Sequence, residues 1–324
     1  MIKTERLFLM PLKKEWYEGI IENDHTIFEK VGLKIDHAWF AKIAFSQVNS
    51  MLSLLNMGYA EEHLLWLIVL EKSNLIIGDI SIVQGDCDRE GSLSYRMMKA
   101  HRHRGYASEA IRALTFYHFW CDTEGLECIT ADVLRENVSS KKCILSANYK
   151  QIDSFEEGIE RFVFDRDDYN AFMRSLSINK EIITSGCLMG LPMRYDGSGG
   201  KLTFVIPTSY HLIPICPEQL GGLATPRDPV EYAPDRSQYM TQRGIDCTDA
   251  FFSGADAFVS FAKRQGTSLF LLKQNSPSCG SLAIYDGSFE RGKVKGEGCT
   301  VKMIRKHFEQ YVILDEDHNM CLNI

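Results

Sequence analysis

Three cysteines carry the most specific chemistry of this 324-residue chain: Cys187 in SGCLMGLPMRYDG, Cys216 in HLIPICPEQLGGL and Cys279 in LFLLKQNSPSCGS. Each follows an apolar, strand-like run. The chain contains no Cys-x-x-Cys pair, which argues against a zinc ribbon or a bacterial ferredoxin pattern. Soft thiolates favour an iron–sulfur centre, zinc or copper(I) over magnesium or calcium. A structural zinc would want a fourth ligand, for which His211 and His307 are candidates. A cluster on three thiolates would instead keep one metal position open. Three small apolar core thiols are the remaining alternative, and that is the expectation for Cys87, Cys121, Cys128, Cys143, Cys247, Cys299 and Cys321.

A second constellation lies upstream. Arg102-His103-Arg104-Gly105-Tyr106-Ala107 separates a strand-like SLSYRMM (92–98) from a helical run, Ser108–Trp120. Small residues there let the backbone approach an anion, and the unpaired N–H groups of the helix start bind phosphate oxygens. Arg102 and Arg104 add positive charge.

Positioning these groups requires two ordinary domains, and the length allows them. In the first half, strands are expected at Leu64–Leu70, Gly78–Val83, Ser92–Met98, Ile129–Leu134 and Arg161–Phe164, with helices at 17–62, Ser108–Trp120 and Val138–Ala147. A charged and then turn-like stretch, Asp165–Ser177, reads as the boundary. In the second half, strand-like runs at Glu181–Ser185, Lys201–Ile206, His211–Ile215, Ser268–Leu272 and Tyr311–Leu314 alternate with helical patterns at Asp249–Arg264 and Val301–His307. Residues 221–238 are rich in Gly and Pro and read as loop. The expectation is therefore α/β throughout: a mixed sheet in residues 1–174, then a Rossmann-like three-layer domain with a mostly parallel sheet in residues 175–324. In such a sheet the strand ends converge on one crevice, where distant cysteines can meet.

Two resemblances attach to these motifs. TERL at 4–7, Ser94-Tyr95, GYASEA at 105–110, Asn137, Ser140 and Asn148-Tyr149 resemble the GNAT acetyltransferases in their ribosomal-protein-alanine branch. That resemblance covers about residues 3–174 and implies acetyl-CoA as cofactor. It places pantetheine on Tyr95, Arg96 and Met97, the pyrophosphate on Arg102, His103, Arg104, Gly105, Tyr106, Ala107 and Ser108, and the remainder on Asn137 and Ser140. Glu90 and Asp79 are candidate bases for an unknown amine acceptor, and the phenol used by many relatives falls near Ile144, where there is none. Asn148 stands where the family has Gly, and Asn is the next most tolerant of the left-handed region.

GCLMGLPMRYDG, PICPEQLGGLATPR, LLKQNSPSCGS and IYDGSFERGKVKGEG resemble the DUF523 domain of thiouracil desulfidases over about residues 180–318. The resemblance implies a 4Fe-4S cluster on Cys187, Cys216 and Cys279, catalysis by Glu218 and Ser276 (with Ser278 as the second choice), and Lys273, Arg194, Tyr195 and Asp196 around the pocket. Met193 replaces a further cysteine that many members carry. The implied reaction converts a thiolated pyrimidine or nucleoside to its oxo form and hydrogen sulfide. Two other functions fit the same motifs: an acetyltransferase with a structural metal module, or a non-enzymatic sensor of acetyl-CoA and cluster.

Composition bounds the partners. A net charge of −7 supplies no global field for nucleic acid, so no DNA partner is expected, while modified RNA is kept as an alternative to a free small substrate. The start MIKTE has no basic-then-apolar signal, and the apolar runs are too short to span a membrane. With ten cysteines, a reduced cytoplasmic setting is expected.

Overall fold

The computed structural model describes residues 1–35, 40, 45–61, 64–85, 87–122, 125–154, 156–202, 206–233 and 237–324. The chain packs as two compact units, Met1–Asn170 and Ala171–Ile324.

The first unit carries strands β1 (Ile2–Lys3), β2 (Leu7–Pro11), β3 (Leu65–Leu70), β4 (Ile76–Gln84), β5 (Glu90–Met97), β6 (Cys128–Leu134), β7 (Lys150–Ile152) and β8 (Ile159–Asp165). Its helices are α1 (Lys14–Ile21), α2 (Thr26–Glu29), α3 (Phe45–Asn56), α4 (Tyr106–Cys121), α5 (Val138–Ser146) and α6 (Arg166–Leu176), the last crossing into the second unit. The strand order is β1-β2-β3-β4-β5-β6-β8-β7. All neighbours are antiparallel except β5 and β6, which run parallel. The β3 run LWLIVL is buried along almost its whole length, so it forms the centre of the sheet core. Ala110, Ile111, Ala113, Leu114 and Tyr117 give α4 its buried face. Each large side chain so buried contributes about 1.5–3 kcal/mol.

The second unit adds β9 (Glu181–Ser185), β10 (His211–Ile215), β11 (Val230–Ala233), β12 (Gln238–Thr241), β13 (Leu269–Leu271), β14 (Ala283–Tyr285), β15 (Lys293–Lys295), β16 (Tyr311–Leu314) and β17 (Met320–Asn323), with α7 (Pro217–Leu220), α8 (Thr248–Gln265) and α9 (Cys299–His307). Its main strands lie in the order β10-β9-β13-β16-β17. The first four are parallel and β17 is antiparallel to β16. β11–β12 and β14–β15 form separate antiparallel hairpins. Phe258, Val259 and Ala262 of α8 and Val301 and Ile304 of α9 pack with Ile183, Phe270 and Ile313. Gly266 ends α8 at φ +67°, and the Thr267 N–H closes the turn on the Ala262 carbonyl (3.2 Å).

Two expectations are corrected. The stretch read as a turn at 165–177 is helix α6. Its charges mask an apolar face made by Tyr169, Met173 and Leu176, all buried, and the Asp165 carboxylate accepts the Asp168 N–H (2.8 Å) at its start. The stretch 221–238, read as loop, holds β11 and the start of β12. There Val230 and Tyr239 are buried against Phe251 and Ala255 of α8 despite the surrounding prolines. The strand expected at Lys201–Ile206 lies partly outside the described residues. No helix of the described residues is long and apolar enough to cross a membrane.

Candidate functional sites

The first site is opened by a strand that leaves its neighbour. β5 and β6 pair only at Glu90–Cys128, Gly91–Ile129 and Ser92–Thr130, although β5 continues to Met97. Past Ser92 the two strands no longer pair among the described residues. The resulting cleft of about 840 Å³ is lined by Tyr95, Arg96, Met97, Arg102, His103, Gly105, Tyr106, Ala107, Ser108, Asn137 and Ser140. Arg104 is the exception among the expected residues: its backbone carbonyl instead accepts a bond from Arg6 Nη1 (2.9 Å). Gly105 is the N-cap of α4 at φ +77°, a conformation that exposes the first turn's N–H groups without a side chain in the way. This arrangement fits a pyrophosphate, since a cradle of free N–H donors at a helix start meets an anion.

Asn137 has a second duty there. Its Oδ1 caps α5 by accepting the Ser140 N–H (3.1 Å), which leaves its amide N–H groups for the cleft. Tyr95 and Ser140 hydroxyls lie 2.9 Å apart, and burial pushes the Tyr95 phenol well above its ordinary value. Of the two candidate bases, Asp79 lines the cleft, almost fully buried, with Arg96 Nε 3.0 Å from its carboxylate. Glu90 is placed elsewhere and accepts the Thr130 hydroxyl (2.7 Å). Ile144 is buried, as a core residue, while its neighbour Cys143 lines the cleft. Asn137, Ser140 and Cys143 repeat at intervals of three along α5, a signal by which Cys143 was open to detection.

In the second unit, β9 lies between β10 and β13, and all three run parallel. Their carboxyl ends therefore share one edge. Cys187 sits in the 3-10 turn Gly186–Met189 directly after β9, and Cys216 directly follows β10. Cys279 comes eight residues beyond β13 and is brought back by a loop closed on Gln274, whose Oε1 accepts the Asn275 and Ser281 N–H groups at 3.1 Å. All three cysteines line one cavity of about 300 Å³ together with Glu218, Ser276, Lys273, Arg194 and Tyr195. His211 starts β10 at the opposite end from Cys216, and neither it nor His307 lines the cavity.

Burial raises the Cys187 thiol to about 11 and also lifts Cys216 and Cys279, with charge on Cys216 as a further cause for Cys187 and charge on Cys216 and Cys187 as further causes for Cys279. Thiols whose ionisation burial opposes become thiolates more readily beside a cation, which a metal centre would supply. Among the described residues no three or more His, Cys, Asp or Glu side chains are arranged to hold a metal ion. The three thiols border one shared space, and as soft donors their chemistry suits a soft metal rather than magnesium or calcium.

Glu218 lies in the first turn of α7 and is clasped by Arg227, through Nε at 3.1 Å and a closer contact from Nη2. Sequence reasoning missed Arg227, although it stands within the quoted block PICPEQLGGLATPR. The Ser276 hydroxyl oxygen accepts the Ser278 and Cys279 N–H groups, both at 3.1 Å. Ser278 is buried against the Thr300 hydroxyl (3.0 Å) and does not line the cavity, whereas Ser276 and Ser185 do. Lys273 Nζ is paired with Glu316. Asp196 does not line the cavity: it accepts the Ser198 N–H (2.9 Å) and hydroxyl (2.6 Å) and holds a turn. Met193 does line it. Gln242, Glu231, Tyr285, Phe289 and Arg291 also line the cavity and were not anticipated. Of the cysteines expected to be buried, Cys87 and Cys121 are exposed, whereas Cys247, Cys299 and Cys321 are buried.

Comparison with known proteins separates the same two regions. The 2-thiouracil desulfurase family matches residues 182–316, and the acetyltransferase (GNAT) domain matches residues 6–150. The uncharacterized protein YbbK of Bacillus subtilis (strain 168) is 34% identical over 135 residues, which span 39% of this chain and 89% of YbbK. Among solved structures, the 4Fe-4S-dependent thiouracil desulfidase TudS is 37% identical, covering 43% of this chain and 91% of TudS, with a TM-score of 0.38. A GNAT-family acetyltransferase from Bacillus anthracis is 17% identical, covering 51% of this chain and 98% of that one, with a TM-score of 0.36. The ribosomal-protein-S5-alanine acetyltransferase of Vibrio fischeri is 15% identical, covering 51% and 96%, with a TM-score of 0.36.

Proposed function

Because the chain belongs to the 2-thiouracil desulfurase family through its C-terminal half and carries a GNAT-type acetyltransferase domain in its N-terminal half, we propose that it is a bifunctional enzyme. The second domain, about residues 175–324 and Rossmann-like in its layering, hydrolyses a thiocarbonyl of a thiouracil-type pyrimidine to the oxo form with release of hydrogen sulfide. The first, about residues 1–174, binds acetyl-CoA and acetylates an amine.

The observation that carries the first activity is the convergence of Cys187, Cys216 and Cys279, from three separate loops, on one cavity with Glu218 and Ser276. Cys187, Cys216 and Cys279 would hold a 4Fe-4S cluster, which would supply a soft Lewis acid suited to sulfur. The chain's own groups handle the protons. Glu218, oriented by Arg227, takes a proton from the water that adds to the thiocarbonyl carbon. Ser276 spends its oxygen on two backbone N–H groups, so its own O–H is free to donate to the substrate. Water's oxygen replaces sulfur, sulfur leaves with two protons, and no electron is gained or lost. Free thiols and such a cluster suit a reducing, cytoplasmic setting.

For acetyl transfer, Asp79 is the carboxylate at the cleft that would take the acceptor amine's proton, with Arg96 holding it. Tyr95, Ser140 and Cys143 form a cluster of O–H and S–H donors in the same cleft, from which the departing thiolate is protonated. The deciding experiment is anaerobic purification with iron and labile sulfide quantified, followed by an assay for sulfide release from 4-thiouracil. About four iron per chain and sulfide release are expected. Stoichiometric zinc with no sulfide release overturns the desulfidase reading.

A further inference from the structure

Arg6 belongs to the TERL run at 4–7 and not to the residues placed on the cofactor, and it does not line the cleft, yet its side chain is tied to the loop that forms the pyrophosphate cradle. Its backbone N–H donates to Glu109 Oε1 (3.0 Å), and its Nε and Nη2 donate to Oε2 at 2.7 and 2.6 Å. The Thr4 hydroxyl adds a bond to the same carboxylate (2.6 Å). Glu109 is buried and sits in the first turn of α4. From there the guanidinium extends Nη1 to the Arg104 carbonyl (2.9 Å) and lies over the Tyr106 ring, 4.8 Å from its centre. A Cβ on Gly105 would come within 3.2 Å of Nη2, so the arginine occupies the space beside the cradle's glycine.

Two consequences follow from elementary chemistry. In a planar trans peptide, C=O and N–H point in opposite directions. Fixing the Arg104 carbonyl on Arg6 therefore turns the Gly105 N–H away from it, and Gly105 is a wall of the cleft. A bare Glu109 carboxylate at the start of α4 would also repel any phosphate docked on that helix end, and Arg6 cancels that charge.

We propose that Arg6 is the positioning residue of the cradle: it neutralises Glu109 and sets the Arg104–Gly105 peptide so that the loop presents its N–H groups to a diphosphate ester. This rests on the acetyl-CoA reading of the cleft. The experiment uses the full chain, the variants Arg6→Met and Arg6→Met/Glu109→Leu, calorimetry with acetyl-CoA, and backbone amide shifts on adding it. The double variant removes the tie without stranding a buried charge. In the native protein, amides of 95–97 and of 103–108 are both expected to shift. Arg6→Met should weaken acetyl-CoA about tenfold, as loss of charge-assisted bonds implies. In both variants the shifts at 103–108 should shrink while those at 95–97 persist at saturation. Native affinity and native loop shifts in the double variant overturn the proposal. Equal shrinkage of both sets also overturns it, because it marks a merely structural role. If the native protein shows neither set of shifts, the cofactor reading falls and the proposal with it.

Discussion

Arg227 holds the Glu218 carboxylate by two guanidinium nitrogens inside the cavity that the three convergent cysteines line. Both side chains are largely buried, at 10% and 14% exposure, so neither orientation is left to solvent. Bonds from Arg227 Nη1 to the Thr225 hydroxyl (2.9 Å) and the Ala224 carbonyl (3.1 Å) anchor the arginine itself. The carboxylate is therefore presented by a fixed fork rather than by a flexible chain.

Arg227→Met should consequently lower kcat for sulfide release by about tenfold or more with a smaller change in KM, since an unanchored base loses its geometry. Arg227→Lys should recover only part, because an ammonium lacks the fork. In a Glu218→Gln background, Arg227→Met should add little further loss. Steady-state kinetics on the five proteins decides this; full additivity of Arg227→Met and Glu218→Gln would show that Arg227 acts independently of Glu218.

Cys279→Ala should abolish iron retention and sulfide release while leaving acetyl-CoA affinity within about twofold, because the two sites belong to different compact units. Iron and labile-sulfide analysis beside calorimetry checks both halves. A variant that keeps about four iron per chain and full sulfide release would show that Cys279 is not needed to hold the centre.

Asn148 has φ +67°, and its neighbour Tyr149 is buried with its hydroxyl 2.7 Å from that of Thr115. The backbone at 148 must stay left-handed to keep that bond. Asn148→Gly should leave the thermal midpoint nearly unchanged, whereas Asn148→Val should destabilise the first unit by about 1–2 kcal/mol. Differential scanning calorimetry of the two variants provides the check.

What was legible in the sequence, and what was not, follows from how local each signal is. The strands leading to Cys187 and Cys216 are short apolar runs that stop at Gly186 and Pro217, so their ends show in the residues themselves. The left-handed position of Asn148 showed because one residue type stood where a tolerant one is needed. Helix α6 was hidden because Arg166, Asp167 and Asp168 open it and dominate its composition, while only a 3.6-residue period reveals Tyr169, Met173 and Leu176. The pairing of Arg227 with Glu218 arises from a chain reversal through Gly- and Pro-rich residues, which no periodicity encodes. Hairpin β14–β15 has strands of three residues, too short for an alternating pattern to stand out.

Asp315 supplies the pH-dependent prediction. It is buried beside the loop that carries Cys279, accepting Gln274 Nε2 (2.5 Å) and the Asp317 and Asn319 N–H groups (both 2.9 Å). Burial raises its carboxyl above the ordinary value, outweighing those bonds, and Glu316 adds in the same direction. Between its unfolded and folded values the native state then binds more proton than the unfolded chain, so the slope of unfolding free energy with pH is negative. The stability contributed by Asp315 is thus complete below the unfolded value and is lost as pH rises through the folded one. Urea unfolding of the native protein and of Asp315→Asn across pH 4 to 7 isolates this, because the other groups cancel in the difference. The native protein should lose stability relative to the variant over that range, and a difference that stays flat or rises would show that the hydrogen bonds, not burial, govern this carboxyl.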